Sequence, residues 1–301
     1  MKLKTIMSKL IILLFTISIV ISVPVKQVYA DSFKAVTLGA NLNDKQKEDM
    51  LKYFNVTKKE ANIIEVSNEE ENKYLKGVAS QSQIGTKAIS CSYVEPTEKG
   101  GLNISVNNMS WVTESMIRNA LITAGVANAN VKVSAPFEVS GTAALTGILK
   151  GFESSEGGKK IDEDKKKTAN EELVVTGDLG EKIGKDNAAN LMNEIKKDVV
   201  KEKPKSQKEI EKIVVNAVKD SNQNLNSDDI KKITALMGKI NDLNLDFSQI
   251  KDQLNDVTDK LKANLTSDEA KGFFAKLFGA IASFFAKLFE VIGSIFSKLF
   301  S

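Results

Sequence analysis

The chain contains no histidine, a single cysteine, a single arginine and only four prolines in 301 residues. Without His it lacks the commonest general base and metal ligand, and with them every Ser–His or Cys–His arrangement. One cysteine, Cys91, permits no intramolecular disulfide and no structural zinc site, so stability must come from burial. Cys91 lies in the alternating stretch Ala88-Ile89-Ser90-Cys91-Ser92-Tyr93-Val94, which suits a small buried side chain better than a reactive thiol. One arginine, Arg118, leaves almost no planar fork for bidentate phosphate recognition. No GxxxxGKS/T or GxGxxG run is present, so nothing marks a phosphate-binding loop. Asp242-x-Asn244-x-Asp246 begins like a calcium loop but places Phe247 and Gln253 where Gly and Glu are required. Asp220-x-Asn222-x-Asn224 fails in the same way at Leu225 and Lys231. Ser248 and Lys251 form a Ser-x-x-Lys pair with no supporting motif. From these absences no enzyme activity, metal site or cofactor is expected.

The formal charge of +3 comes from 42 basic and 39 acidic residues. Residues 1–30 hold four Lys and no acid, leaving 38 basic against 39 acidic residues beyond them. That balance gives no reason to expect nucleic-acid binding. Lys2, Lys4 and Lys9 precede an apolar run from Leu10 to Val23, and Val28-Tyr29-Ala30 fits a small-residue cleavage site. The expectation is a secretory signal over 1–30, cleaved near Ala30, and a secreted or cell-surface product.

The remainder predicts an α+β fold: a mixed α/β domain with a small sheet over 31–152, a linker over 153–169, a helical domain over 170–266 and an amphipathic tail helix over 267–301. In the first domain, strands are expected at Phe33–Leu38, Ile63–Val66 and Val131–Val133. A hairpin is expected from Lys87–Val94 to Leu102–Val106 through Gly100-Gly101. Asn43 caps a helix to about Phe54, Asn68 and Glu71 form a capping box, Thr113 caps a helix to Ala124, and Ser140-Gly141-Thr142 opens a helix to about Phe152. The Glu153–Lys167 stretch reads as a solvated linker. In the helical domain, Leu191/Ile195/Val199, Ile210/Ile213/Val214/Ala217/Val218, Ile230/Ile233/Met237/Ile240 and Ile250/Leu254/Val257/Leu261/Leu265 are core stripes.

Two segments are candidate ligand loops. Asn68 and Glu69 open a helix with three acids, Glu69-Glu70-Glu71, which point in different directions and also stabilise a helix start. Ser140, Gly141 and Thr142 lie in a small-residue run after a strand. Exposed amides there would suit an anion or carbonyl oxygen. The alternative is close helix-to-sheet packing that only small side chains allow.

Val36-Thr37-Leu38-Gly39-Ala40-Asn41-Leu42, Ser67 to Glu71, Gln83-Ile84-Gly85-Thr86, Trp111-Val112-Thr113, Thr123-Ala124-Gly125-Val126, Ala135-Pro136-Phe137 to Gly147, and Thr176-Gly177 occur together. As a set they resemble the family called domain of unknown function 1002, over roughly residues 33–255. The resemblance implies export and a shared fold, and names no chemistry. Ser67 and Asn41 stand where the resemblance leads one to expect Thr and Asp.

The last residues repeat an eleven-residue unit: Gly272 to Phe278 returns as Ser283 to Phe289 and again as Ser294 to Phe300. Eleven residues make almost three helical turns, so each copy lands on the previous one with a drift of about 20°. Lys276, Lys287 and Lys298 then share a narrow stripe with Glu290. Phe273, Phe274, Leu277, Phe278, Ile281, Phe284, Phe285, Leu288, Phe289, Val291, Ile292, Ile295, Phe296, Leu299 and Phe300 fill the other half. Each such side chain gains about 1.5–3 kcal/mol when fully buried. Something is expected to cover this face: a membrane interface, a bilayer crossed with Lys287 near mid-depth, other copies of the chain, or its own helices. The expected function is an exported envelope- or membrane-surface binding protein of unknown ligand, attached by the tail. The alternative is a secreted membrane-active, pore-forming protein, and a third is an envelope-polymer enzyme joining Glu69, Glu70 or Glu71 to Ser140 or Thr142.

Overall fold

The computed structural model describes residues 34–221 and 223–264. The stretches read as signal peptide and tail helix therefore lie outside the described residues. The fold is α+β. Five strands form one mixed sheet in the order β2-β1-β3-β5-β4: β1 Lys34–Gly39, β2 Ala61–Val66, β3 Cys91–Pro96, β4 Leu102–Val106 and β5 Ala129–Ser134. β2 runs parallel to β1, β3 antiparallel to both β1 and β5, and β4 parallel to β5.

The expected hairpin is not formed. β5 sits between β3 and β4, although β3 and β4 are consecutive in the chain. Gly100 and Gly101 do turn the chain, both at positive φ. The turn instead wraps around Asn128, whose side chain accepts from Gly101 N, while Thr97 N donates to Asn128 O and Ala129 N to Gly101 O. β4 is carried past β5 to become the edge, where Asn103 and Ser105 face outward. A two-glycine turn signals a reversal; it does not say which strand will occupy the slot beside it.

β1 shows why the sheet needs two covering layers, since Ala35 to Gly39 are all buried. On one face Val36, Leu38, Cys91 and Tyr93 pack with Met50, Leu51 and Phe54 of α1 (Asp44–Phe54). On the other, Thr37, Ser92 and Val94 meet α5 (Ala144–Glu153). Alternation along the strands sends successive side chains to these opposite faces. Two short helices, α2 (Asn68–Leu75) and α3 (Gln81–Ile84), precede β3, and α4 (Glu114–Ala124) lies between β4 and β5 in the chain.

Beyond the sheet come α6 (Glu163–Ile183), α7 (Lys185–Glu202), α8 (Gln207–Asp220), α9 (Ser227–Asp242) and α10 (Phe247–Asn264). The stripes expected from spacing are buried at Leu191, Ile195, Val199, Ile210, Ile213, Val214, Ile233, Met237, Ile240, Leu254, Val257 and Leu261. Ile230 is only partly buried, and Leu265 lies outside the described residues. One continuous core runs from Val94 and Val131 of the sheet through Met116 and Leu121 of α4 to Leu261 of α10.

Three local expectations change. The cap of α2 is Ser67, not Asn68: its side chain accepts from Glu70 N, and the Glu70 carboxylate accepts from Ser67 N. α5 begins at Ala144, after Ser140–Thr142 rather than at them. The charged stretch read as linker is partly structural, because α6 starts at Glu163 and Lys166 is buried in ion pairs with Glu153 and Glu163.

Candidate functional site

The small residues Gly147 and Gly151 put α5 against the sheet. A Cβ on Gly147 would lie 2.8 Å from Thr37 Oγ1, and one on Gly151 3.2 Å from Val94 Cγ2. Thr37 Oγ1 and Ser92 Oγ share a buried 2.6 Å hydrogen bond directly beneath Gly147. Gly147→Val is expected to lower stability by about 1–3 kcal/mol, because the close-packed contact has no room for added atoms. Urea denaturation measures it, and a loss below about 0.5 kcal/mol, the size of an ordinary surface substitution, would mean the helix simply lifts.

Thr142, itself buried, donates to Gln83 O at 2.6 Å and lies 2.8 Å from Ser140 Oγ. Gly141 has φ +83 and sits against Met109. Asn68 donates to Glu71 Oε2 at 3.0 Å, while Glu69 is exposed. Glu70 pairs with Lys150 at 2.5 Å, near the end of α5, whereas Ser140 and Thr142 precede its start. The seven helical residues from Ala144 to Lys150 span about 10 Å, so Lys150, the partner of Glu70, is near the opposite end of α5 from the hydroxyls. The structure does not bring Asn68 and Glu69 together with Ser140, Gly141 and Thr142.

Glu71 is different. It is 2% exposed, and burial pushes its carboxyl up to about 7, against the opposing hydrogen bond from Asn68. That value would suit a general base. Its burial on α2 keeps it from solvent, and it acts on the protein's own stability. Burial likewise pushes the Cys91 thiol up to about 12, which makes it inert at neutral pH.

A second buried polar centre was invisible to spacing arguments. Lys196 of α7 and Glu172 of α6 are both 0% exposed. The Lys196 ammonium donates to Glu172 Oε1 at 2.7 Å, Thr123 Oγ1 at 3.0 Å and Asn119 O at 2.7 Å. Thr123 donates to the other Glu172 oxygen at 2.5 Å. All three ammonium donors are therefore satisfied. Burial pulls the Lys196 pKa down, and Glu172 opposes this. The pair is shut off from solvent, so it fastens α4, α6 and α7 together.

One solvent-facing cleft lies where the Thr97–Gly101 turn meets α4 and α10. This open cleft of about 640 Å³ is lined by Thr97, Lys99, Gly100, Gly101, Leu102, Asn103, Arg118, Asn130, Asp252, Gln253, Asp256 and Lys260. Arg118, 3% exposed, donates through Nη1 to Leu102 O and to Asp256 Oδ2, the latter at 3.0 Å. Lys260 lies 3.6 Å from the same Asp256 oxygen, and Gln253 Nε2 donates to Ala127 O at 2.7 Å. Asn130 donates to Glu95, and Asn103 reaches Asn130 across the strands at 3.4 Å. On the other side of Thr97, a cleft of about 490 Å³ is lined by Phe152, Lys159, Lys160 and Lys165 among others. Neither cleft includes a residue named as a candidate from the sequence. Arg118 was visible there only as the sole arginine; its position at the cleft floor needs the tertiary contacts of Leu102 and Asp256.

The segments seen together in the sequence now have places in one architecture. Trp111 packs on Gly177 and donates to Glu181 at 3.1 Å, and Asn41 accepts from Ala88 N at 2.8 Å. Residues 38–257 match the family described as "Protein of unknown function (DUF1002)". The chain belongs to the DUF1002 family. It is 43% identical over 250 residues to the "Uncharacterized protein YpuA" of Bacillus subtilis (strain 168), covering 82% of this chain and 86% of that protein. No solved structure matches it. Ser67 caps α2, and Asn41 accepts the Ala88 amide.

Proposed function

We propose that this DUF1002 protein is an exported binding protein held at a membrane surface by residues 267–301, with the described domain presenting a polar ligand cleft. The observation that carries the attachment is the eleven-residue repeat in the sequence, which at helical spacing would set Lys276, Lys287 and Lys298 opposite a broad face of Phe and Leu. The apolar stripes of α7 to α10 support it, because they pack on one another and on α4 and α6 within one core. Among the described residues the exposed large apolar side chains are Tyr53, Phe137 and Val215, on three separate parts of the chain. No helix among the described residues is long and apolar enough to cross a membrane.

Vesicle flotation tests the reading. The chain from Asp31 onward is expected to float with anionic vesicles, and deletion of residues 270–301 to abolish flotation while the circular dichroism melt of the domain is retained. Flotation that survives the deletion would remove the basis for a tail anchor. Release of entrapped dye at low protein-to-lipid ratio would instead favour the membrane-active alternative, in which copies of the tail assemble through the bilayer.

A further inference from the structure

We propose that the Arg118 cleft binds a zwitterionic ligand of dipeptide size, with a free carboxylate and a free amino group. The inference rests on reading the domain as a binding module, but is independent of the tail.

The first observation is the arginine itself. A guanidinium is expensive to bury, yet the chain's sole arginine is 3% exposed and lines the floor of an open cleft of about 640 Å³. Nη1 holds Leu102 O and Asp256, and the other guanidinium nitrogens have no hydrogen-bond partner among the described residues. A strut between β4 and α10 needs only that one nitrogen. The remaining donors form an edge suited to a planar carboxylate.

The second observation is an opposite charge in the same cleft. Asp252 precedes Asp256 by four residues on α10 and lines the same cleft. Asp256 is engaged by Arg118 and Lys260, whereas Asp252 has no ion pair among the described residues. Asp252 and the remaining Arg118 donors line one cleft of about 640 Å³, which has room for a ligand of dipeptide size between them. The side-chain oxygens of Asn103 and Gln253, whose nitrogens are already engaged, can accept from the peptide N–H between the two charges.

Other ligand classes fit less well. A phosphate-like anion carries no cationic group to answer Asp252. A neutral sugar would find no aromatic ring among the residues lining the cleft, and an apolar ligand would find little beyond Leu102. The lining joins a turn, two strands and two helices from Thr97 to Lys260, so it exists only in the folded chain.

Calorimetric titration of the full chain from Asp31 onward with alanyl-alanine tests the assignment, with N-acetyl and C-amide alanyl-alanine, inorganic phosphate and chitotriose as comparison probes. Saturable binding of alanyl-alanine is expected, at least tenfold weaker when either end is blocked. Asp252→Asn should weaken alanyl-alanine at least tenfold and leave the N-acetyl form unchanged; Lys260→Gln should weaken binding through the carboxylate end. Asp252 and Lys260 are exposed, so these variants keep the fold, whereas Arg118→Lys would also disturb a buried strut. Absence of saturable alanyl-alanine binding, tighter binding of phosphate or chitotriose, or indifference to both variants would overturn the proposal. Because no vesicles are present, these outcomes are separate from loss of flotation.

Discussion

Lys196→Met should destabilise the fold by about 3–5 kcal/mol, a large share of the roughly 5–15 kcal/mol typical of a folded domain. The methionine fills much of the same volume, so the loss is electrostatic. Glu172, 0% exposed, would keep the hydrogen bond from Thr123 while losing the cation that makes its charge tolerable there. Asn119 O would lose a donor as well. The double variant Lys196→Met/Glu172→Leu should recover most of the loss, since replacing a whole buried pair with apolar side chains is often neutral or favourable. Urea unfolding of the wild type, both single variants and the double variant measures the coupling. A single-variant loss under about 1 kcal/mol, the range of exposed ion pairs, would mean that water reaches the site. Additive losses in the double variant would mean that Thr123 and Asn119, not the pair, hold the network together.

Glu71→Gln is expected to do the opposite at neutral pH, raising stability by about 2–3 kcal/mol at pH 8 and changing it little near pH 4. The folded-state carboxyl titrates at about 7 against an ordinary value of 4.5. Between those values the folded protein holds a proton that the unfolded chain has released, so wild-type stability falls as pH rises from about 4.5 to 7. A carboxyl displaced that far costs roughly 3 kcal/mol once both states are ionised. The substituted amide keeps an oxygen for Asn68 Nδ2 and removes the titration. Asp198, pushed up to about 7 by burial and by Glu194 and Glu202, gives the wild type the same sign of slope. The difference between wild type and variant isolates Glu71. A pH-independent difference would show that its carboxyl titrates alike in both states.

Local patterns describe these buried groups unevenly. Glu69-Glu70-Glu71 reads as an acidic helix start, and consecutive helical positions diverge as expected: Glu69 to solvent, Glu70 to Lys150, Glu71 inward. Which of the three would be buried depended on α2 packing through Leu75 beside Val174 of α6, far away in the chain. Lys166 belongs to a run that composition assigns to a solvated linker. It is buried because Glu153, at the end of α5, and Glu163 converge on it. The small-residue run of α5 had two readings; Gly147 and Gly151 enter close packing on Thr37 and Val94, while Ser140 and Thr142 hydrogen-bond ahead of the helix.

Periodicity alone was enough for most helices of this protein and for which of their faces are apolar. Helical and strand repeats are local properties, and burying the resulting stripe dominates the energy. The caps at Asn43 and Thr113 were legible for the same reason, because the backbone amides they satisfy lie within three residues. Strand order, the Lys196–Glu172 pair and the Arg118 cleft depended on the tertiary structure. Each joins groups separated by tens of residues or more, and such pairings are selected by the shared core rather than by any neighbour in the chain.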